Sequence, residues 1–327
     1  MKEEEIRKRD LFNRYLELVE KDIKDLFIFE DFESVPCPAC NGDRFREEFV
    51  KTGFAYVACK QCSTLFANPR PSFRMLKKFY AKSRSTSFWV NEFFRSVAET
   101  RREKIFKPRA EYARSILERE KEWTIGDIGA GFGIFLEELS HLLPHSAFVA
   151  IEPSVEMAAI CKDKGFAVQC ACLEDIQHME EEFDFLSAFE LLEHLHTPSG
   201  FLKKAKALLK PGGYLLLTTL NGSGFDIQLL WEKSKSISPP HHLNFFNIPS
   251  VGCLLNKIGF DIVEISTPGR LDWDIVEGMI KTEGLHVSRF WNFLADIGTE
   301  SCKRELQDWI SRNGLSSHMS VLARRPS

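Results

Sequence analysis

The sequence predicts an α/β protein: a doubly wound, mostly parallel sheet that follows a small cysteine-rich unit and carries helical appendages. Two observations support this fold class. From Trp123 onward, short apolar runs alternate with amphipathic stretches, as strands and helices do in such sheets. Ahead of that alternation, two Cys-x-x-C motifs lie eighteen residues apart, in a segment with strand-like stretches of its own.

The part of the chain before the alternation divides into three predicted domains. Residues 1–33 are predicted to form an amphipathic helix, because apolar residues recur at helical spacing between charged ones. Residues 34–71 contain both Cys-x-x-C motifs and end on the turn sequence Asn-Pro-Arg-Pro. Residues 72–120 are predicted to be a connector or lid, rich in aromatic residues and arginine and helical to about Arg119.

Residues 121–327 are predicted to form the sheet domain, in which strands and helices alternate. The predicted strands are 123–128, 147–151, 166–170, 183–189, 213–219, 261–266 and 319–324. The predicted helices are 134–142, 154–164, 199–209 and 249–258. A helical insertion, residues 267–314, precedes the last strand. The ligand of such a sheet lies beyond the carboxyl ends of the strands, where the strand order reverses.

Composition narrows the possible partners and the compartment. The chain has 327 residues, of which 44% are hydrophobic, and a formal net charge of −4 with both signs mixed throughout. A nucleic-acid partner is therefore disfavoured, because such binding usually needs a positive field. Apolar runs stay well short of the roughly 20 residues that span a bilayer, and the N-terminus is too charged for a signal peptide. We expect a cytoplasmic protein without a membrane segment.

The two Cys-x-x-C motifs predict a zinc site, whose ligands are Cys37, Cys40, Cys59 and Cys62. Four thiolates complete a tetrahedral shell and leave no position for a substrate, so the predicted Zn²⁺ is structural. The alternative is four unrelated buried cysteines. It is disfavoured because so small a segment can barely fold without a metal. Among the other cysteines, Cys170 and Cys172 are interpreted as residues on one face of a strand.

The most informative stretch is Asp127-Ile-Gly-Ala-Gly-Phe-Gly133, a glycine-rich turn between a predicted strand and a predicted helix. A dinucleotide site requires Gly-x-Gly-x-x-Gly, but here Ile134 occupies the sixth place. The turn therefore suits a nucleoside without a pyrophosphate. The next predicted strand ends at Glu152-Pro153, which puts a carboxylate where a ribose diol needs an acceptor.

These motifs, together with Phe183-Asp-Phe-Leu-Ser-Ala-Phe-Glu-Leu-Leu-Glu-His194 and Leu208-Leu-Lys-Pro-Gly-Gly213, resemble those of class I S-adenosylmethionine-dependent methyltransferases. The resemblance covers roughly residues 79–213. It implies a seven-stranded Rossmann-like methyltransferase sheet and an enzyme that transfers a methyl group from S-adenosylmethionine. The chain is more narrowly similar to the branch with an N-terminal zinc ribbon, which includes sugar C-methyltransferases of antibiotic and surface-polysaccharide pathways.

The resemblance also implies which residues bind the cofactor. The turn glycines would lie against its methionine part, Asp127 would orient its ammonium group, and Glu152 would hold its ribose hydroxyls. The segment after the third strand would border the adenine, and the end of the fourth strand would lie beneath the sulfonium. The implied cofactor-binding residues are Asp127, Gly129, Gly131, Gly133, Glu152, Pro153, Cys172, Leu173, Glu174, Phe189 and Glu190.

Methyl transfer to a hydroxyl, an amine or an acidic carbon also requires a base, and histidine has a suitable pKa. Three histidines follow strands of the predicted sheet and are candidates in the order His242, His194 and His241. The alternative for His242 is a hydrogen-bonded structural residue beside Phe245 and Phe246.

The acceptor is expected to be a small polar molecule, selected by the helical insertion. The candidate acceptor contacts are Tyr80, Trp273 and Asp274. Sugar C-methyltransferases tend to carry Tyr-x-Glu-His at the loop of His242, but this chain has Pro239 and His241 at the first and third positions. A sugar, a nucleotide sugar and another small metabolite therefore stay open as acceptors, as do C-, O- and N-methylation.

Two other functions are alternatives: an RNA methyltransferase whose ribbon grips nucleic acid, and a non-catalytic cofactor-binding or docking protein. The first is disfavoured because residues 37–62 carry four basic side chains against three acidic ones. The basic run 101–109 is interpreted as a solvated helix face rather than a phosphate contact. The sequence does not determine the oligomeric state.

Overall fold

The computed structural model describes residues 2–118 and 120–327. The chain divides into two compact units. Unit 1 comprises residues 1–97, 220–251 and 266–319, and unit 2 comprises residues 98–219, 252–265 and 320–327. Each unit is thus assembled from three separate stretches of the chain. The four predicted domain boundaries stay predictions, and the predicted end of the connector at Arg119 lies outside the described residues.

The helices and strands are numbered here in chain order. The helices are α1 (Glu3–Ile6), α2 (Arg9–Leu26), α3 (Phe73–Lys82), α4 (Arg84–Phe88), α5 (Arg95–Arg101), α6 (Lys107–Ile116), α7 (Ile134–Leu142), α8 (Val155–Asp163), α9 (Pro198–Leu208), α10 (Phe225–Leu230), α11 (Ile248–Ile258), α12 (Asp272–Glu283), α13 (Arg289–Ile297) and α14 (Glu300–Arg312). The strands are β1 (Phe45–Lys51), β2 (Phe54–Cys59), β3 (Leu65–Ala67), β4 (Thr124–Ile128), β5 (Ala147–Ile151), β6 (Ala167–Gln169), β7 (Phe183–Phe189), β8 (Leu209–Leu220), β9 (Asn244–Phe245), β10 (Asp261–Ser266) and β11 (His318–Arg324). Short 3₁₀ turns lie at Phe29–Asp31, Leu173–Asp175 and Trp231–Lys233, and π-helical turns at Trp89–Phe94 and Arg102–Phe106.

Unit 1 contains a four-stranded antiparallel sheet in the order β1-β2-β3-β9. Helix α2 belongs to its hydrophobic core because apolar residues recur every three or four positions along one face of the helix. The buried residues on that face are Phe12, Tyr15, Val19 and Ile23. The amphipathic helix that the sequence predicts in the first 33 residues is therefore present, with a short helix, α1, before it.

The helical insertion predicted for residues 267–314 is present as α12, α13 and α14 in unit 1. Its helices share a small hydrophobic cluster with α10. The centroids of the Trp273 and Trp291 rings lie 6.0 Å apart in this cluster, and Val276 and Ala295 are fully buried beside them. Apolar packing of this kind stabilises the insertion.

Unit 2 contains the seven-stranded sheet, in the order β10-β11-β8-β7-β4-β5-β6, and the predicted fold class is confirmed. Strands β6, β5, β4, β7 and β8 pair with one another in parallel. The chain builds outward from β4 through β5 to β6 and then returns to the other side of β4 with β7. The strand order therefore reverses between β4 and β7, where a ligand crevice is expected at the carboxyl ends of the strands.

Two sequence-based expectations differ from the observed sheet. Strand β8 begins at Leu209, four residues before its predicted start, because Gly212 and Gly213 exchange backbone hydrogen bonds with Arg325. Strand β6 ends at Gln169, so the interpretation of Cys170 and Cys172 as residues on one face of a strand was wrong.

Among the described residues, none of the helices combines the length and the hydropathy that crossing a membrane requires.

Candidate cofactor site and metal centre

The glycine turn joins β4 to α7 in unit 2. Its three glycines all have left-handed backbones, with φ values of 71° at Gly129, 54° at Gly131 and 67° at Gly133. Side chains with a Cβ adopt this conformation only at a cost, which explains the choice of glycine. A Cβ built on Gly129 would lie 2.9 Å from the side chain of Leu191, but one on Gly131 meets nothing closer than 3.8 Å. The backbone at Gly131 is therefore open to a ligand.

Glu152 braces the glycine turn from the end of β5. Its Oε2 accepts a hydrogen bond of 2.8 Å from the amide of Gly131, and its Oε1 accepts one of 2.8 Å from the amide of Ser154. The side chain is 5% exposed, and this burial raises the pKa of Glu152 although the two amides act to lower it. Because each carboxylate oxygen has two lone pairs, both can accept a further hydrogen bond from a ligand.

Asp127 lies at the carboxyl end of β4 and is 3% exposed. Its Oδ1 accepts a hydrogen bond of 2.7 Å from the Ser187 hydroxyl on the adjacent strand β7. Burial raises the pKa of Asp127 to about 7, against the opposing effects of the Ser187 hydrogen bond and the positive charge of Arg109. A cation that binds beside this carboxylate would restore its ionised form.

The end of β7 carries an arginine that the sequence analysis did not select. The Nη2 atom of Arg109 lies 2.6 Å from Oε1 of Glu190, and its guanidinium carbon lies 4.6 Å from the ring centroid of Phe189. Glu190 also accepts a hydrogen bond of 2.8 Å from the Thr218 hydroxyl. Glu190 has a left-handed backbone, with a φ of 53°, which is uncommon for a residue with a side chain. The two predicted cofactor residues Phe189 and Glu190 are thus held by one cation.

The interpretation of the basic run 101–109 as a solvated face was wrong for two of its arginines. Arg102 contacts Glu137 at 2.8 Å and also contacts Glu138, while Arg109 contacts Glu190. The carboxylate partners lie far along the chain, 35 positions from Arg102 and 81 positions from Arg109. No local pattern in the sequence signals these contacts.

Glu193 is a second residue that sequence reasoning did not select for the site. It is 1% exposed, and its Oε2 accepts a hydrogen bond of 2.8 Å from the Thr219 hydroxyl. Burial, together with the negative charge of Glu190, raises the pKa of Glu193 well above its usual value. The sequence signal was available, since Glu193 belongs to the same run of residues as Phe189 and Glu190.

The other predicted cofactor residues lie after strands β5 and β6 of unit 2. Pro153 is exposed and directly precedes the N-cap of α8, where the Ser154 hydroxyl accepts from the amide of Met157. Cys172 and Leu173 begin the 3₁₀ turn that follows β6, in which Leu173 is buried and Glu174 is exposed. These segments follow carboxyl ends of neighbouring parallel strands.

The four predicted zinc ligands come together in unit 1. Their sulfur atoms all lie within 4.8 Å of one another, with 3.5 Å between Cys37 and Cys62 and 3.4 Å between Cys40 and Cys59. Four sulfurs bound to one Zn²⁺ at about 2.3 Å would be separated by roughly 3.8 Å. The donor set and its spacing therefore fit a closed tetrahedral zinc site.

Each Cys-x-x-C motif folds as a knuckle, a tight turn closed by a backbone hydrogen bond. The amide of Asn41 donates to the carbonyl of Cys37, and the amide of Ser63 donates to the carbonyl of Cys59, both at 2.9 Å. Asn41 and Ser63 have left-handed backbones, with φ values of 63° and 57°. The two knuckles thus have the same local geometry, and each turns two sulfurs toward one point.

The candidate base His242 belongs to unit 1. Its Nδ1 lies 2.6 Å from the carbonyl oxygen of Ser236. A carbonyl can only accept, so Nδ1 carries the proton and Nε2 is the basic nitrogen of the neutral ring. Its backbone carbonyl accepts a hydrogen bond of 2.7 Å from the Tyr56 hydroxyl, which fixes the loop.

The other two candidate histidines have different surroundings. His241, in unit 1, is buried against the rings of Tyr15, Phe79 and Tyr80, and burial lowers the pKa of His241 to about 3. It is therefore neutral at physiological pH. His194, in unit 2, closes the turn after β7 with a backbone hydrogen bond of 2.9 Å to Leu191.

The three predicted acceptor contacts all belong to unit 1. The Tyr80 side chain is exposed and contacts the His241 ring. Trp273 lies inside the hydrophobic cluster of the insertion. Asp274 accepts a hydrogen bond of 2.6 Å from the Glu3 amide and forms an ion pair of 3.0 Å with Lys2. Trp273 and Asp274 are thus engaged within the unit.

Comparison with curated proteins identifies relatives of part of the chain. This chain is 27% identical over 158 residues to an uncharacterized protein of Methanocaldococcus jannaschii, and the aligned region covers 48% of this chain and 74% of that protein. This chain is also 36% identical over 101 residues to the ubiquinone biosynthesis O-methyltransferase of Bradyrhizobium diazoefficiens, and that aligned region covers 29% of this chain and 39% of the enzyme. The chain thus spans about two fifths of the length of the ubiquinone enzyme that it matches.

Solved structures share the fold. A chain of the complex between the Haloferax volcanii Trm112 methyltransferase activator and a methyltransferase aligns with a TM-score of 0.51 and 14% identity, over 73% of this chain and 96% of that chain. The plantazolicin methyltransferase BpumL, solved in complex with SAH, aligns with a TM-score of 0.50 and 16% identity, over 77% and 94%. At these identities the likeness extends to the fold.

The family model described as a methyltransferase domain matches residues 97–265, which include the glycine turn, Glu152 and the end of β7. That match covers just over half of the chain. The chain therefore belongs to the methyltransferase domain family, and the prediction of an S-adenosylmethionine-dependent methyltransferase is confirmed at the level of that family.

Proposed function

We propose that this protein transfers the methyl group of S-adenosylmethionine to a small polar acceptor. The observation that carries the proposal is the pairing of Glu152 with Gly131, because it places two carboxylate oxygens beside a backbone that no protein atom covers within 3.8 Å of a Cβ position. When bound, the cofactor supplies a methyl carbon activated by a sulfonium cation. The protein then mainly aligns that carbon with the acceptor.

Each end of the cofactor has a suitable partner among the residues of unit 2. Glu152 is proposed to accept hydrogen bonds from both ribose hydroxyls, since each of its oxygens has capacity for one more. Asp127 is proposed to face the ammonium group, whose positive charge favours the ionised carboxylate. Arg109 is proposed to position Phe189 and Glu190 beneath the sulfonium, because its guanidinium contacts both residues. Cys172, Leu173 and Glu174 are proposed to border the adenine.

The charge distribution supports a small molecule rather than RNA as the acceptor. The net charge is −4, and around the cysteine cluster Arg46 is already paired with Glu48 at 2.6 Å. Phosphate backbones are bound by clustered cations, whereas residues 37–62 mix four basic side chains with three acidic ones. The similarity to enzymes of ubiquinone biosynthesis, which are O-methyltransferases, favours transfer to oxygen.

His242 is proposed as the base that takes the acceptor proton. The carbonyl of Ser236 holds its Nδ1 proton, which leaves Nε2 as the acceptor of a proton. His241 is a weaker candidate, because its lowered pKa of about 3 makes the ring a poor base at neutral pH. Replacement of His242 by Gln should lower kcat at least about a hundredfold, with little change in cofactor affinity.

The four-cysteine cluster is proposed to be a zinc ribbon that stabilises unit 1. Four thiolates fill the coordination shell, so the ion would not act on the substrate. The acceptors to test include sugars and nucleotide sugars, as in the sugar-pathway branch of zinc-ribbon methyltransferases, and other small metabolites.

The decisive experiment has two stages. Isothermal titration with S-adenosylmethionine and with its demethylated product should show saturable binding of each compound at one site per chain. Mass spectrometry should then detect a methylated product among panels of small polar acceptors and not among RNA substrates. Methylated RNA would favour the nucleic-acid alternative, and binding without any product would favour a docking protein.

A further inference from the structure

Helix α13 presents an apolar stripe to solvent. Phe290, Phe293 and Ile297 are 62%, 57% and 61% exposed, and they lie at positions i, i+3 and i+7, which share one face of a helix. The opposite face packs into the insertion through Ala295, which is fully buried. Isolated exposed apolar residues are ordinary, but three on one face form a continuous patch.

Two opposite charges flank this stripe. Arg289 begins α13 and Asp296 lies near its end, and both side chains are exposed. Neither has an ion-pair or hydrogen-bond partner among the described residues. They are seven residues apart, which is two helical turns or about 10 Å, so they project from the same flank of the stripe.

This arrangement is complementary to itself. When two identical helices pack antiparallel about a two-fold axis, each flank meets the same flank of the other copy, with its direction reversed. Arg289 would then face Asp296 of the second copy, and Asp296 would face Arg289 of the second copy. In a parallel pair the flank would meet the opposite side of the helix, where these charges find no partner. We propose that α13 is the antiparallel contact of a homodimer, centred near Phe293.

The area of the stripe sets the expected strength of the dimer. From their exposed fractions, the three apolar side chains offer roughly 350 Å² in each copy. Two copies would bury about 700 Å² from the stripe alone, and flanking residues bring the interface to on the order of 1,000 Å², the range of weak and reversible complexes. A dissociation constant on the order of 10 µM is therefore expected.

The charged flank is the reason to choose a second copy over a membrane surface. A helix that lies on anionic lipid carries Lys and Arg beside its apolar face. Here one of the two flanking charges is the carboxylate of Asp296, and Glu300 follows at the start of α14. A second copy of α13 provides an opposite charge for both Arg289 and Asp296.

Sedimentation velocity of the full chain from 1 to 200 µM tests the proposal. The native protein should shift from monomer toward dimer over this range. Phe293→Glu places two carboxylates at the two-fold axis and should weaken the dimer at least tenfold. The matched control is Phe73→Glu, at a phenylalanine of α3 that is 54% exposed, and it should leave the association unchanged. Far-UV circular dichroism of both variants checks that they are folded.

Charge exchange makes the test specific for an antiparallel homodimer. Arg289→Asp and Asp296→Arg should each weaken association about tenfold, and the double exchange should restore it. A native protein that stays monomeric at 200 µM overturns the proposal, as does a double exchange that fails to restore a dimer. Binding of the native monomer to vesicles of anionic phospholipid, if Phe293→Glu abolishes that binding, would also overturn the proposal in favour of a membrane contact.

Discussion

The cysteine knuckles of unit 1 and the glycine turn of unit 2 both depend on left-handed backbones, but they differ in what keeps them formed. In the knuckles the left-handed residues are Asn41 and Ser63, and the groups proposed to bind zinc are side-chain sulfurs. In the turn the left-handed residues are glycines, and the Gly131 amide is already bonded to Glu152. The proposed zinc site would be completed by its metal, whereas the glycine turn is braced by the protein itself.

This difference has a physical origin. Four thiolates within 4.8 Å repel one another unless a cation lies between them, so the knuckles and their metal should form together. The glycine turn has no such conflict, because its hydrogen bonds are satisfied without the cofactor. Loss of the metal should therefore change the stability of unit 1, whereas changes in the turn should mainly alter affinity for the cofactor. Four predictions test this contrast.

The largest expected effect is that of metal removal. The purified protein should contain one zinc per chain, and chelation or Cys40→Ser should lower the free energy of unfolding of unit 1 by several kcal/mol. Metal analysis and thermal unfolding measure this. Cys302→Ser, at an exposed cysteine of α14, is the control and should change neither quantity. Purified protein without zinc but with unchanged stability would contradict the proposed ribbon.

The next effect concerns the brace of the turn. Glu152→Ala should raise the Kd for S-adenosylmethionine about a hundredfold, because two charge-assisted hydrogen bonds to the ribose are lost. Glu152→Gln, which keeps one carbonyl oxygen, should raise it about tenfold. Titration calorimetry measures both, with Glu156→Gln on the exposed first turn of α8 as control. An unchanged Kd for Glu152→Ala would contradict the proposed contact between Glu152 and the ribose.

A pair of glycines separates backbone strain from ligand contact. Gly131 and Gly165 both have left-handed backbones, and a Cβ added at either meets no protein atom closer than 3.8 Å. Alanine at each should cost about 1 kcal/mol of stability. Only Gly131→Ala should also weaken cofactor binding, by about 2 kcal/mol or thirtyfold, because its Cβ would occupy the space of the ligand. Equal Kd values for the two variants would place the ligand elsewhere.

The smallest effect is a pH dependence from Asp127. Its pKa is raised from 3.8 to about 7 by burial, so the folded state keeps a proton that the unfolded state releases. Stability should therefore fall as pH rises from about 4 to 7. The cofactor ammonium favours the ionised form, so the Kd should fall about tenfold from pH 6 to pH 8. The Asp127→Asn variant should bind S-adenosylmethionine weakly, with a Kd that does not change between pH 6 and pH 8. If the Kd of this variant still falls with pH, the dependence belongs to another group.

Elements that depend on local periodicity were predicted with their bounds. Helix α7 and strands β5, β7 and β10 begin and end where the sequence pattern placed them, because apolar residues alternate strongly there and turn residues bound them. Strand β9 was not predicted. It has two residues, and its pairing with β3 depends on a contact that no local pattern records.

The candidate site shows the same division between local and distant information. The glycines and Glu152 could be found because a turn with positive φ and a carboxylate after a strand leave a local signature. Arg109 could not be found by that route, since its role depends on Glu190, which is 81 positions away along the chain. The raised pKa of Asp127 likewise depends on burial, which only the packed fold provides.

The pairing of β3 with β9 has a consequence for synthesis of the protein. Leu65 of β3 leaves the ribosome about 180 residues before its partner Phe245, which corresponds to roughly 10–35 s at ordinary rates of translation. During that interval the edge of β3 is an unpaired template for other strands, and such edges promote aggregation. Early capture of a metal by the nearby cysteines would order the nascent sheet, so zinc supply during expression should govern the yield of correctly folded chains.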